Sequence, residues 1–299
     1  MKIRLVATIL FGILSVSLVS SVADDAKPLT PVWTVTEGCD APESTYLDPV
    51  SGVVFVSNIS GQGAEKDGKG WISKITTDGK VLSAKWVEGL NAPKGIRSYK
   101  TTLWVSDVDT IVEIDITKAK IVNRIPVPGA KFLNDVACGP DGTVYVSDMI
   151  GSKVFQVQDG KVSVFAEGDE LESPNGLLVD GDRLILGGWG LTTDFMPKVP
   201  GRLFALDLKT KKKTLITKEP TGNLDGIESD GHGGYIVSDW VAGKILHISG
   251  SGKVQLLAQF PKGAADLAYI PAKHLLILPQ MMENKITAFD LTKFLSQGK

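Results

Sequence analysis

Residues 135–166 read DVACGPDGTVYVSDMIGSKVFQVQDGKVSVFA, four short β-rich runs set apart by turn formers. The runs are Asp135 to Cys138, Val144 to Ser147, Lys153 to Gln158 and Val162 to Ala166. Pro140-Asp141-Gly142 divides the first pair and Asp159-Gly160 the last. Glycine reaches positive φ without a steric penalty and Asp bonds to its own backbone, so both turns favour hairpins. The segment predicts four antiparallel strands.

Working outward, the second of these strands has counterparts along the chain. Val144-Tyr145-Val146-Ser147-Asp148 matches Val54-Phe55-Val56-Ser57-Asn58, Leu103-Trp104-Val105-Ser106-Asp107, Leu184-Ile185-Leu186-Gly187-Gly188, Tyr235-Ile236-Val237-Ser238-Asp239 and Leu275-Leu276-Ile277-Leu278-Pro279. The spacing averages about 44 residues, the length of a four-stranded propeller blade. Six repeats predict an all-β, six-bladed β-propeller. The sixth repeat stops after its third strand, Lys285 to Asp290, while Val32 to Thr36 precedes the first repeat without a hairpin partner. The N-terminal strand is therefore expected to complete the last blade and close the ring, protecting its edges.

Composition agrees with a turn-rich globular chain: 299 residues, 32 Gly, 15 Pro, 43% hydrophobic and 22% charged. It excludes disorder, collagen and coiled coil. With 32 Lys and Arg against 34 Asp and Glu, and no like-charge run longer than Lys211-Lys212-Lys213, the sequence carries no footprint for nucleic acid or acidic membrane. Met1-Lys2-Ile3-Arg4, an apolar run from Leu5 to about Val19, and small residues at Ser21 and Ala23 fit a secretory signal peptide over 1–23, an uncleaved anchor being the alternative. The expectation is a propeller over 24–299, monomeric, periplasmic or secreted, and not inserted in a membrane after cleavage.

In a propeller the start of the innermost strand and the end of the next share one face of the ring. Counting back from each strand ending puts Glu43, Lys94, Asn134, Asn175, Asp225 and Asp266 at equal phase in the six repeats. Turn preference accounts for one Asn or Asp at a strand start, not for equal phase in six. Glu43, Asn134, Asn175 and Asp225 are hard oxygen donors from four blades, a set suited to Ca²⁺. Asn58, Asp107, Asp148 and Asp239 occupy the second phase, where an exposed Ser-Asp corner is an equally good reading.

These motifs resemble the senescence marker protein/gluconolactonase family of six-bladed propellers, related to diisopropylfluorophosphatase-like hydrolases and bacterial lactonases. The likeness covers essentially the whole expected mature chain. It implies one catalytic divalent cation in the channel, with Pro42-Glu43-Ser44, Leu133-Asn134-Asp135-Val136, Ser173-Pro174-Asn175-Gly176-Leu177 and Leu224-Asp225-Gly226-Ile227 matching the ligand motifs. The chain departs from the sugar-lactonase branch at Phe132-Leu133, where that branch has an Arg, and at Asp148-Met149, which lacks its acidic substrate contact. The implied activity is calcium-dependent hydrolysis of a small lactone or ester. Asp225 is the family's base; a cation on it would depress its basicity, leaving Asp266 and Asp148 as alternatives. A non-catalytic propeller binding a small molecule, peptide or protein at the same mouth is the competing expectation.

No Gly-x-Ser-x-Gly elbow, P-loop or His-Glu-x-x-His motif occurs, and His232, His247 and His274 fall away from the expected mouth. Insertions at Ile59 to Gly70 and Gly190 to Gly201 should overhang it. Lys94, Phe132, Trp189 and Trp240, with Phe195 and Met196, are the candidate substrate contacts. Cys39 and Cys138 differ in phase by up to about 26 Å of strand, against about 7 Å between bridged Cα atoms. Two unbridged thiols are expected.

Overall fold

The computed structural model describes residues 29–295, so the expected signal peptide at 1–23 lies outside the described residues. Among the described residues, six four-stranded antiparallel sheets are arranged in sequence order. The chain opens with β1 (Pro31–Val35) and then builds blade 1 from β2 (Pro42–Leu47), β3 (Val54–Asn58), β4 (Gly70–Ile75) and β5 (Val81–Leu90). Blade 2 holds β6 (Pro93–Tyr99), β7 (Thr102–Asp107), β8 (Thr110–Asp115) and β9 (Lys120–Pro126). Blade 3 holds β10 (Leu133–Cys138), β11 (Val144–Asp148), β12 (Lys153–Gln158) and β13 (Lys161–Glu167). Blade 4 follows with β14 (Pro174–Asp180), β15 (Arg183–Gly188), β16 (Leu203–Asp207) and β17 (Lys213–Leu215). Blade 5 has β18 (Leu224–Ser229), β19 (Tyr235–Asp239), β20 (Lys244–Ile248) and β21 (Val254–Gln259). In blade 6, β22 (Ala268–Ile270), β23 (Leu275–Gln280) and β24 (Lys285–Asp290) are completed by β1.

The fold is thus the all-β, six-bladed propeller that the repeat predicts. Closure follows the same reading: β1 pairs antiparallel with β24, Thr34 opposite Thr287 and Val35 opposite Ile286. A second seam lies near the axis. The backbone ahead of β22 bonds to blade 1, with Asp266 N donating to Glu43 O at 2.9 Å and Thr45 N to Asp266 O at 3.0 Å.

Burial falls from the axis outward. Every residue of β3, β11 and β19 is buried, whereas the outer β9 is exposed at most positions. The apolar core lies between neighbouring blades: Tyr145 and Val154 of blade 3 pack with Leu177, Leu186 and Phe204 of blade 4, and Val54 and Val56 of blade 1 with Ile277 and Ile286 of blade 6. Because each sheet buries both faces, its second strand is a largely apolar run, as in β3, β11 and β19.

Candidate metal centre

Glu43, Lys94, Asn134, Asn175 and Asp225 are each the second residue of an innermost strand. At each of these places the ladder to the second strand breaks register: Pro42/Thr45, Pro93/Ile96, Leu133/Val136, Pro174/Leu177 and Leu224/Ile227. A bulge re-aims the side chain it carries, and here it recurs in five blades.

The repeated serine of the second strand answers the backbone groups that the bulge frees. Asp135 N donates to Ser147 Oγ at 2.8 Å, and Ser147 Oγ donates to Asn175 O of the next blade at 2.6 Å. Ser238 does the same between Gly226 N at 2.8 Å and Ala265 O at 2.9 Å. Ser57 accepts from Ser44 N at 2.9 Å, and Ser106 donates to Asn134 O. The glycine after a candidate ligand has an equally local cause. A Cβ on Gly176 would stand 1.7 Å from Asp225 O, and one on Gly226 2.4 Å from Leu267 N. Adjacent inner strands approach so closely that only glycine fits between them.

Glu43, Asn134, Asn175 and Asp225 are all buried. Glu43 Oε2, Asn175 Oδ1, Asp225 Oδ1 and Asp266 Oδ1 are shielded from solvent and have no hydrogen-bond partner. Burial, followed by the charges of Asp225 and Asp266, raises the Glu43 pKa well above the usual carboxylate range. Asp225 is raised likewise by burial, then by Asp266, Asp135 and Asp239. Mutually repelling carboxylates with unused lone pairs are what a bound cation would satisfy, so the donors fit a hard divalent ion. Among the described residues no group of three His, Cys, Asp or Glu side chains is disposed to hold a metal by itself. The candidate set differs in kind, joining two carboxylates to two amides.

A layer of buried charge accompanies these oxygens, and sequence reasoning missed most of it. Arg97 lies 3.4 Å from Asp266 Oδ2 and 3.4 Å from Glu228 Oε1. Burial opposes its charge, but Asp266, Asp135 and Glu228 hold its pKa above the ordinary value. Asp135 accepts from Val136 N and Leu177 N, both at 2.6 Å, and burial with the Asp266 charge lifts its pKa to about 8. The available signal was a charged residue in an inner strand that the ring covers on both faces.

Asp266, a base candidate, lies among the buried carboxylates that keep an unpartnered oxygen. Its Oδ2 accepts from Ser44 Oγ and Arg97, leaving Oδ1 unpartnered. Burial raises its pKa, opposed by Arg97 and Ser44. Asp148, the other base candidate, has both oxygens engaged by backbone N–H groups. It is fully buried and accepts from Lys131 N at 3.0 Å, Phe132 N at 2.8 Å and Gly151 N at 3.1 Å. Asp107 similarly holds Asn91 N and Ala92 N, and Asn58 holds Asp40 N. The second-phase residues thus fasten the segments that lead into the inner strands.

Lys94 Nζ donates to Gly63 O at 2.7 Å and Ala92 O at 2.9 Å and stands 4.5 Å from the Phe132 ring centroid. Burial lowers its pKa to about 8 against the opposing charges of Glu43 and Asp107. Trp189 and Trp240 stand 5.9 Å apart, and Phe132 meets Phe195 edge to face at 4.9 Å. The histidines sit elsewhere: His247 bonds Asp230 at 2.8 Å, and His274 bonds Tyr269 at 3.2 Å. Cys39 and Cys138 are unbridged, each pushed up to about 12 by burial.

Among solved structures, this chain is similar to a catalytically inactive variant of virginiamycin B lyase from Staphylococcus aureus with quinupristin, at 15% identity and a TM-score of 0.59, over 88% of this chain and 99% of that one. The selenomethionine-substituted virginiamycin B lyase from Staphylococcus aureus gives 13% identity and 0.56 over 86% and 98%. A streptogramin B lyase gives 13% and 0.57 over 86% and 96%. Likeness at this identity concerns the fold. No curated protein matches the sequence significantly. The family model described as SMP-30/Gluconolactonase/LRE-like region matches residues 100–277, so the bulged strands, the Pro-Asn-Gly and Asp-Gly motifs and the closed ring are those of a chain that belongs to the SMP-30/gluconolactonase family.

Proposed function

We propose that this chain is an exported, calcium-dependent hydrolase of small lactones or related esters. One observation carries the reading: four buried, partnerless oxygens, from Glu43, Asn175, Asp225 and Asp266, in blades 1, 4, 5 and 6. Glu43, Asn134, Asn175 and Asp225 would hold the ion. Bound there, calcium would supply Lewis-acid polarisation of a substrate carbonyl.

The protein's own residues supply the rest. Ser44 and Arg97 hold Asp266 Oδ2 and leave Oδ1 free to take a proton from the attacking water. Arg97 opposes the protonation that burial favours at that carboxylate. Lys94 anchors the insertion 59–70 through Gly63 and places a positive charge beside the mouth. Phe132, Trp189 and Trp240 form the wall that turns water away from the reacting group.

The test follows proton release from a panel of lactones and aryl esters with calcium and with excess chelator, alongside calorimetric calcium binding. Asp225→Asn is expected to lose both calcium binding and turnover. Asp266→Asn should keep the ion and lose turnover by about 100-fold or more. Chelator-insensitive turnover would overturn the role of calcium, and full activity in Asp225→Asn would overturn the ligand assignment.

A further inference from the structure

Three of the candidate ligands have an aromatic residue beside them at the mouth. Phe132 lies two residues before Asn134. Trp189 follows Gly188, which pairs with Pro174 next to Asn175. Trp240 follows Asp239, which pairs with Leu224 next to Asp225. Blades 3, 4 and 5 thus each bring one ring to the same level.

The rings are joined. Phe195, from the insertion of blade 4, packs edge to face on Phe132 at 4.9 Å and 78°. Its carbonyl accepts from Trp189 Nε1 at 3.2 Å, and Trp189 lies 5.9 Å from Trp240. A cation caps each end, Lys94 4.5 Å from Phe132 and Lys262 4.8 Å from Trp240. The belt continues into solvent through Leu191, Phe195, Met196 and Val199, whose exposures run from 44% to 79%. Apolar side chains this exposed on one insertion beside a site call for an apolar ligand.

Apart from the oxygens assigned to the ion and to Asp266, the polar side chains Asp107, Asp148 and Lys94 are already engaged. Both oxygens of Asp148 and of Asp107 accept backbone N–H groups, and Lys94 directs two of its N–H bonds to carbonyls. A polyhydroxylated ring would leave its hydroxyls facing aromatic carbon, at a desolvation cost.

We propose that the belt selects lactones or esters carrying an alkyl or aryl group of several carbons over polyhydroxylated ones, with Phe195 as a specificity-determining residue. This rests on the hydrolase reading for the identity of the reacting group, and the belt itself is testable by binding. The probes are δ-valerolactams, which resist hydrolysis, substituted with alkyl chains of increasing length, and gluconolactam as the hydroxylated control. They are titrated by calorimetry into the mature protein with calcium.

Affinity is expected to rise about fourfold per methylene over the first few carbons. Phe195→Ala should flatten that rise and Phe195→Leu restore most of it. Leu215→Ala, on an outer strand, should follow the wild type. Gluconolactam binding as tightly as the alkyl lactams, or an unchanged chain-length dependence in Phe195→Ala, would overturn the proposal. The corresponding lactones separate the two readings. Calcium-dependent turnover without chain-length preference overturns the belt and supports the hydrolase. Graded lactam binding without turnover of any lactone supports the belt and overturns the hydrolase.

Discussion

Glu228 keeps its carboxylate 3.4 Å from Arg97 with one-fifth of the side chain exposed, and burial still lifts its pKa to about 7 against the pull of that guanidinium. A folded-state pKa above the unfolded value means that the native protein holds a proton which the unfolded chain has released. Stability contributed by this group is complete below the unfolded value and is lost as pH rises through about 7. Residual solvent screening makes the effect smaller than full burial would. Urea midpoints measured from pH 4.5 to 7.5 should therefore fall with pH, and Glu228→Gln should flatten part of the fall. Parallel curves for the two proteins would refute the assignment. Asp135, lifted to about 8, adds a loss of the same sign that extends higher in pH.

At the scale of the strand, the bulge, the serine and the glycine form one device. Ser147→Ala removes a partner from both Asp135 N and Asn175 O, two buried groups in adjacent blades. The expected cost is about 2–4 kcal/mol, read from denaturant midpoints. Gly176→Ala acts sideways instead, since its Cβ would overlap Asp225 O and displace a candidate ligand. Calcium affinity should fall by at least about tenfold, a drop that calorimetry reads directly; unchanged affinity would show that Asp225 is not held from its neighbour. The Ser-Asp phase was plain in the sequence because it recurs, and Pro174-Asn175-Gly176 because a polar residue stands at the same phase in every repeat. Their purpose was not legible, since Ser106, Ser147 and Ser238 act on the following blade and Gly176 and Gly226 yield to the next inner strand. Asp148 shows the limit: phase alone placed it at the mouth, and only the backbone N–H groups of Lys131, Phe132 and Gly151 reveal that it fastens a loop. Arg97 and Glu228 were hidden for a different reason, as period-two alternation does not say which inner-strand charges meet across the ring.

For the whole molecule, the decisive link is that the candidate ligands come from blades 1, 3, 4 and 5 while the ring is closed by non-covalent pairing. β1 pairs with β24 in blade 6 and runs directly on into β2 of blade 1, so it stitches the last blade to the first. A cation bound at the axis would favour only the closed ring and stabilise all blades together. At calcium a hundredfold above its Kd, unfolding should become harder by about 2.7 kcal/mol and remain one transition. A chain lacking residues through Val35 leaves the outer edge of β24 unpaired, exposed to self-association. That chain should unfold at lower urea, bind calcium more weakly and gain less from it, because part of the binding energy must first order blade 6 against blade 1. Calorimetry and urea titration of both proteins, with light scattering for the truncated one, check this directly. Equal calcium stabilisation in the two would mean that the inner seam, where Asp266 N bonds Glu43 O, holds the ring closed without β1.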